Sequence, residues 1–171
     1  HYDNLKLEIT WTLVPFVLIV YLAFISWAPL DNIWSSANAE DGYFGDECES
    51  GESSNLYWDS TDEVYRAECY HVFGITGFQW SWEFDCYNLD EDLCAHGIVD
   101  IEGNDKPHLS IKAGEAYLTR MTSTDVTHAP WFVSHGVKED IHYGEITSQW
   151  VLADDVEDFL LLSTEYCGDN H

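Results

Sequence analysis

Hydrophobic positions fall into two regimes along the chain. Residues 9–30 run for 22 positions without a charged side chain, whereas from Ala67 onward apolar residues come in short runs broken by glycine and polar turns. The first regime predicts one transmembrane α-helix, because about 20 apolar residues span the hydrocarbon core of a bilayer. A helix also bonds its own backbone polar groups, as lipid requires. Trp11 at one end and Trp27 and Trp34 at the other suit the two interfaces, where amphipathic rings settle. A buried core helix and a signal peptide are the other readings of such a run. The rest of the chain is too small to wrap a core helix of this kind, and neither a basic flank nor a clean cleavage site accompanies the run. The chain begins at His1, which leaves room for an upstream segment and a second span.

The second regime predicts short strands at 70–75, 78–84, 108–112, 116–122, 131–133, 145–152 and 159–164. Gly74, Gly77, Gly114, Gly136 and Gly144 punctuate them. Many short strands with such turns predict a Greek-key β-sandwich or barrel. Between the two regimes, residues 31–61 are rich in Gly, Ser, Asp, Asn and Glu and read as a connector and surface loop. The expected division is therefore a membrane helix with its flank at 1–30, a connector at 31–66 and a β domain at 67–171. Within 78–84 the pattern alternates, so Phe78, Trp80, Trp82 and Phe84 are expected on one strand face and Gln79, Ser81 and Glu83 on the other. Four large rings on one face predict either a core surface or an aromatic contact surface for a partner.

Charge changes the picture of the surroundings. Acidic residues outnumber basic ones 32 to 6, for a formal net charge of −26. A field of that size repels itself, but at molar salt the screening length falls to about 3 Å and the repulsion largely disappears. The acids are scattered rather than gathered in a tail, which reads as the solvated surface of a halophile's protein, with an acidic docking face as the alternative. Lys6, Arg66, Lys106, Lys112, Arg120 and Lys138 form no basic patch, so nucleic acid is excluded as a partner. Cys48, Cys69, Cys86 and Cys94 can form two disulfides in three pairings, which points to an oxidising compartment. Their spacings of 21, 17 and 8 residues do not fit a compact zinc or iron–sulfur pattern.

Cys167 stands apart from these four. It lies four residues before His171 across a turn containing Gly168, and His128 follows a strand in a distant segment. Two imidazoles and a thiolate make the trigonal donor set that binds copper for electron transfer.

The segments around these residues resemble subunit II of haem–copper oxidases of the cytochrome c oxidase type, the CuA-domain family. Leu7-Glu8-Ile9-Thr10-Trp11-Thr12-Leu13-Val14-Pro15 is similar to that family's entry into its second membrane helix. Gly77-Phe78-Gln79-Trp80-Ser81-Trp82-Glu83-Phe84 resembles its aromatic segment, and Thr122-Ser123-Thr124-Asp125-Val126-Thr127-His128 resembles the loop holding its first copper histidine. Gly136-Val137-Lys138-Glu139-Asp140 and Glu165-Tyr166-Cys167-Gly168 through His171 continue the match in the family's order. With the acidic composition, the resemblance is to a subunit of a halophilic archaeon.

The resemblance implies a cupredoxin-like Greek-key domain outside the membrane, carrying a copper centre. It implies an electron-transfer subunit of a respiratory oxidase, with oxygen reduced elsewhere in the complex. The partners implied are a haem-bearing subunit I, a subunit III, the lipid bilayer, and soluble cytochrome c or a small blue copper protein as donor. Trp80 matches the family's electron-entry tryptophan. His128, Cys167 and His171 match copper ligands. Glu165 matches a ligand that acts through its backbone carbonyl and whose carboxylate reaches a magnesium at the interface with subunit I.

The chain departs from the family at one position that matters most. The family's first bridging cysteine falls on Ser163, and a protonated, hard hydroxyl does not replace a soft thiolate. Three metal states follow: a single copper on His128, Cys167 and His171; an empty site in a copper-degenerate or quinol-oxidising relative with a structural role; or an ordinary binuclear centre, if the gene encodes cysteine at position 163. The single copper is the state the written residues favour. His135 and His142, absent from the family pattern, read as loop histidines.

Overall fold

The computed structural model describes residues 4–34, 44–168 and 171, without the side chains of residues 28 and 31–34, so the expected interfacial role of Trp34 lies outside the described residues, as do 35–43 of the connector. The chain divides into two compact units, His1–Gly42 and Tyr43–His171.

The described part of the first unit is one helix, α1 (Leu5–Trp34). Asn4 caps it, its side-chain oxygen accepting the Leu7 N–H at 3.2 Å, which satisfies one of the unpaired donors of a helix start. The hydroxyls of Thr10 and Thr12 donate back to the carbonyls of Lys6 and Glu8, so both are satisfied within the helix. Leu5–Trp27 is long and apolar enough to cross a membrane, and none of it is buried. At about 1.5 Å per residue it rises roughly 35 Å, more than the hydrocarbon thickness. An apolar helix exposed on every side is not a core helix. Pro29 does not end α1, which runs four residues beyond the expected boundary at 30.

The second unit is a mixed β domain. A two-stranded ribbon, β1 (Tyr57–Asp59) with β2 (Val64–Arg66), lies inside the segment read as connector. The main sheet has the order β10-β7-β3-β4 and is built from β3 (His71–Phe78), β4 (Ser81–Asp85), β7 (Glu115–Ser123) and β10 (Thr147–Ala153). β3 and β7 pair in parallel, while β3–β4 and β7–β10 are antiparallel. A long hairpin, β5 (Cys94–Ile101) with β6 (Asn104–Ile111), and a smaller sheet of order β11-β8-β9 complete the unit. The smaller sheet holds β8 (Pro130–Phe132), β9 (Val137–Lys138) and β11 (Leu161–Ser163).

Central position in the sheet explains the burial. His71 to Ile75 of β3 are all buried, because the strand has β4 on one side and β7 on the other and packing on both faces. Phe73, Ile75, Trp82, Phe84, Tyr117, Met121, Phe132, Ile141 and Val151 form the core. The Tyr117 hydroxyl donates to the Leu93 carbonyl at 2.8 Å and accepts the Lys112 N–H at 3.0 Å, joining the β5–β6 hairpin to the core. Disulfides join Cys48 to Cys69 and Cys86 to Cys94, leaving Cys167 free and buried. The first ties the loop before β1 to the start of β3, and the second ties the end of β4 to β5. By loop-closure entropy alone, bridges of separation 21 and 8 each restrict the unfolded chain by about 2.5–3.5 kcal/mol.

The expected single strand at 78–84 is corrected by the structure. Phe78 pairs with Ser81, so Gln79 and Trp80 are the two-residue loop of the β3–β4 hairpin. Trp82 and Phe84 are buried, whereas Trp80 is 62% exposed and shares no face with them. The turn is held from outside: the Asp125 carboxylate accepts the Gln79 N–H at 2.7 Å, and the Gln79 side chain donates to the Cys167 carbonyl at 2.9 Å.

Candidate metal centre

Four segments converge at one end of the β domain. His128 follows β7 and is completely buried. Its backbone exchanges two hydrogen bonds with Ile141, N–H to Ile141 O at 3.1 Å and O from Ile141 N–H at 2.8 Å, which fixes the segment before the ring is placed. Its Nε2–H donates to Asp125 Oδ1 at 2.8 Å. Its Nδ1 is buried and has no hydrogen-bond partner among the described residues. A buried imidazole lone pair without a donor is costly unless something else occupies it.

His171 is arranged in the same sense. Its Nε2–H donates to the Ser81 carbonyl at 3.0 Å, and its Nδ1 lies 3.2 Å from the Cys167 sulfur. The ring stacks on Trp82 at 4.5 Å between centroids and meets His128 edge-on at 4.8 Å. In both histidines an outer acceptor holds the proton on Nε2, so both Nδ1 lone pairs are turned away from it, that of His171 toward the Cys167 sulfur. Outer-shell partners of metal-binding histidines set the tautomer in this way. Burial pushes the His171 imidazole below its ordinary range, against the Ser81 carbonyl, and neighbouring His128 adds to the fall; the neutral form is the one that ligates metals.

Cys167 brings the third donor. It is 2% exposed, and its sulfur lies 3.0 Å from the Ser163 hydroxyl oxygen. The donor atoms of His128, Cys167 and His171 all lie within 4.8 Å of one another. Two imidazoles and one soft sulfur thus share a largely buried cluster on loops fixed by sheet edges, a donor set suited to a thiophilic first-row metal.

Close backbone approach makes room for the cluster. A Cβ added to Gly77 would meet the His128 ring, the Ile141 side chain and the Trp82 ring, each at 3.0 Å. Gly168, with φ +134°, passes against the indole of Trp80; a Cβ there would fall 1.9 Å from Nε1. The exposed Trp80 ring therefore lies directly on the loop that carries Cys167.

Sequence reasoning named His128, Cys167, His171, Ser163 and Trp80, and the structure brings all five to this end of the domain. Glu165 is exposed, and its carbonyl accepts the Cys167 N–H at 2.8 Å. Asp125 was missed as a functional residue. Its carboxylate binds the Gln79 N–H, the Val126 N–H and the His128 ring together. Burial pushes its pKa up, but the His128 hydrogen bond and the two backbone donors outweigh that and hold it at about 2. The Asp-x-x-His spacing at 125–128, a carboxylate one turn before an imidazole, was the available signal. His135 packs edge-on against Phe159, and His142 Nδ1 lies 3.1 Å from the Thr127 hydroxyl; neither joins the cluster. A second grouping, Cys48, Glu52 and Cys69, offers no thiolate because its two sulfurs are bonded to each other. A cleft of about 280 Å³ between residues 47–51 and 87–93 shares no residue with the metal cluster.

No protein-family model matches the chain. It is similar to cytochrome c oxidase subunit 2 of Alkalihalophilus pseudofirmus, with 29% identity over 170 residues, covering 99% of this chain and 39% of that protein. The chain thus spans about two fifths of the length of that relative. In fold it is similar to the periplasmic domain of subunit II of cytochrome oxidase of Bradyrhizobium japonicum, with a TM-score of 0.50 and 22% identity over 59% of this chain and 76% of that one. That likeness supports a cupredoxin-type sandwich for the β domain.

Proposed function

We propose that this chain is the electron-transfer subunit of a respiratory haem–copper oxidase, anchored by α1 with its β domain on the outer face of the membrane. The observation that carries the reading is the convergence of His128, Cys167 and His171, with both Nδ1 lone pairs turned away from the outer partners. The similarity to a cytochrome c oxidase subunit 2 supports it, as does an apolar helix of membrane-spanning length. His128 Nδ1, Cys167 Sγ and His171 Nδ1 would hold copper, which when bound supplies one-electron redox chemistry. Asp125 and the Ser81 carbonyl orient the two imidazoles. Trp82 stacks on His171 and keeps water from its face. The sheet fixes the loops, so the donor positions change little between oxidation states. Trp80, exposed above the Cys167 loop, is the electron entry point for a soluble donor, cytochrome c or a small copper protein. The Glu165 carboxylate, which is exposed, would reach magnesium at the interface with a haem-bearing subunit I, with subunit III as a further partner.

Purification of the full chain from its native membrane tests the reading. Copper and a haem-bearing partner are expected in the same complex. A copper-free complex would favour the second reading, a structural subunit II of a quinol-oxidising enzyme, which Ser163 supports. A chain that purifies active and alone would defeat both.

A Trp80→Phe variant tests the entry point. Electron transfer from the soluble donor is expected to slow by about tenfold, the equivalent of about 1.4 kcal/mol in the barrier. Reduction by a small artificial reductant should change far less, and equal slowing of both would argue against an entry role.

A further inference from the structure

We propose that Ser163 is a positioning residue for the Cys167 thiolate and not a metal ligand, so that the centre holds a single copper; this rests on the copper reading above. The Ser163 backbone is clamped from two sides. It pairs with Pro130 in the β11–β8 register, and its N–H donates to the His171 carbonyl at 2.9 Å. Thr164 N–H donates to Ala129 O at 3.0 Å, closing the same junction. The hydroxyl is thereby held between two groups. Its oxygen accepts the Ala129 N–H at 3.3 Å, and it lies 3.0 Å from the Cys167 sulfur.

Proton accounting assigns the direction of that second contact. While Cys167 is a thiol, its S–H can donate to the hydroxyl oxygen. Metal binding requires the thiolate, and a thiolate has no proton to give. The O–H of Ser163 must then turn to the sulfur and donate, while its oxygen keeps the Ala129 N–H. A hydroxyl in that state presents hydrogen, not a lone pair, to the cluster. One lone pair then remains on an oxygen that keeps its proton, and a protonated hard oxygen competes poorly for a copper site built of softer donors.

Two consequences can be measured. With one thiolate there is no bridge for a second copper. A hydrogen bond to the thiolate also withdraws electron density from sulfur and favours the reduced metal, because hydrogen bonding around the Cys sulfur is one of the settings of such centres. Removing it should lower the midpoint potential and shift the sulfur-to-copper absorption band.

The test compares the full detergent-solubilised chain with Ser163→Ala, Ser163→Thr and Ser163→Cys, each loaded with copper. Metal analysis, electron spin resonance, the visible band and the midpoint potential are read for each. The wild type is expected to bind one copper with a four-line pattern. Ser163→Ala should still bind one, with affinity lowered by no more than about 10–100-fold, a shifted band and a lower potential. Ser163→Thr, which keeps the hydroxyl, should restore both. Ser163→Cys should raise the content to two coppers with a seven-line pattern. Loss of copper in Ser163→Ala, with the fold intact by circular dichroism, would make Ser163 a ligand and overturn the proposal. An unchanged band and potential in Ser163→Ala would overturn it while leaving the copper reading standing. A wild type that binds no copper would overturn both.

Discussion

Replacing Cys167 with alanine is expected to lower copper affinity by more than about 100-fold, the upper end of what loss of an outer-shell partner costs. The sulfur is the one soft donor in the cluster; His128 and His171 alone leave two imidazoles. Two imidazoles bind many divalent metals, so selectivity for copper should fall with affinity. The fold should survive, since the side chain meets only the Ser163 hydroxyl and His171 Nδ1 through hydrogen bonds. An Asp125→Asn variant gives a graded comparison. The amide oxygen can still accept from His128, but the charge that holds the imidazole proton on Nε2 is gone, and a loss of about 10–100-fold is expected. Equilibrium titration against a chelator of known strength measures both. Undiminished affinity in Cys167→Ala would move the copper site elsewhere in the chain.

The largest effect on stability is expected at Glu115. This carboxylate is 2% exposed at the start of β7. It accepts the Ser54 N–H and hydroxyl, each at 2.6 Å, and the Ser53 hydroxyl at 2.8 Å, with His71 Nε2 and Lys112 Nζ each at 3.3 Å. The Ser54 hydroxyl in turn accepts the Ala116 N–H at 2.7 Å. One buried side chain thus fastens the loop that carries Cys48 to the central sheet. Removing it as Glu115→Ala leaves these donors buried without an acceptor, at a cost of about 3–5 kcal/mol.

Acid should reveal the same contribution. Burial raises the Glu115 pKa, but the Ser54 and Ser53 hydroxyls, the Ser54 N–H and His71 outweigh it and bring it down to about 2 from 4.5. A depressed folded pKa means that the stabilisation is fully present above the unfolded value and is lost as pH falls from about 4.5 through about 2. The difference is worth about 3 kcal/mol. Denaturant unfolding of wild type and Glu115→Gln across that window should converge as pH falls, because glutamine has no proton to gain. Parallel acid limbs for the two proteins would refute the assignment.

Some of this molecule is legible in its residues. The uncharged run at 9–30 gives α1, because length and composition alone decide whether a helix can face lipid. β7 and β10 follow from short apolar runs that begin just after the turn glycines Gly114 and Gly144. The strands that escaped had no such contrast: β5 is exposed along most of its length, so no apolar period marks it, and β9 is two residues long. The turn at Gln79–Trp80 was hidden for another reason. Its sequence alternates as a strand should, and what bends it are hydrogen bonds to Asp125 and to Cys167, 46 and 88 residues away. Likewise, the three metal donors could be picked out by residue type and motif, whereas the Ser81 carbonyl that fixes the His171 tautomer, 90 residues away, becomes its acceptor only once the chain has folded.

The solitude of Cys167 bears on how the centre is assembled. The other four cysteines are locked in two bridges, and the group beside the Cys167 sulfur is a hydroxyl. A pair of thiols at this distance, exposed to an oxidising compartment before metal arrives, could close on each other and bar the ion until a reductant reopened them. A thiol facing serine has no neighbour to close with. On the copper reading proposed above, maturation would need a supply of metal but no thiol reductase to reopen an intrachain bridge across the loop that carries Cys167.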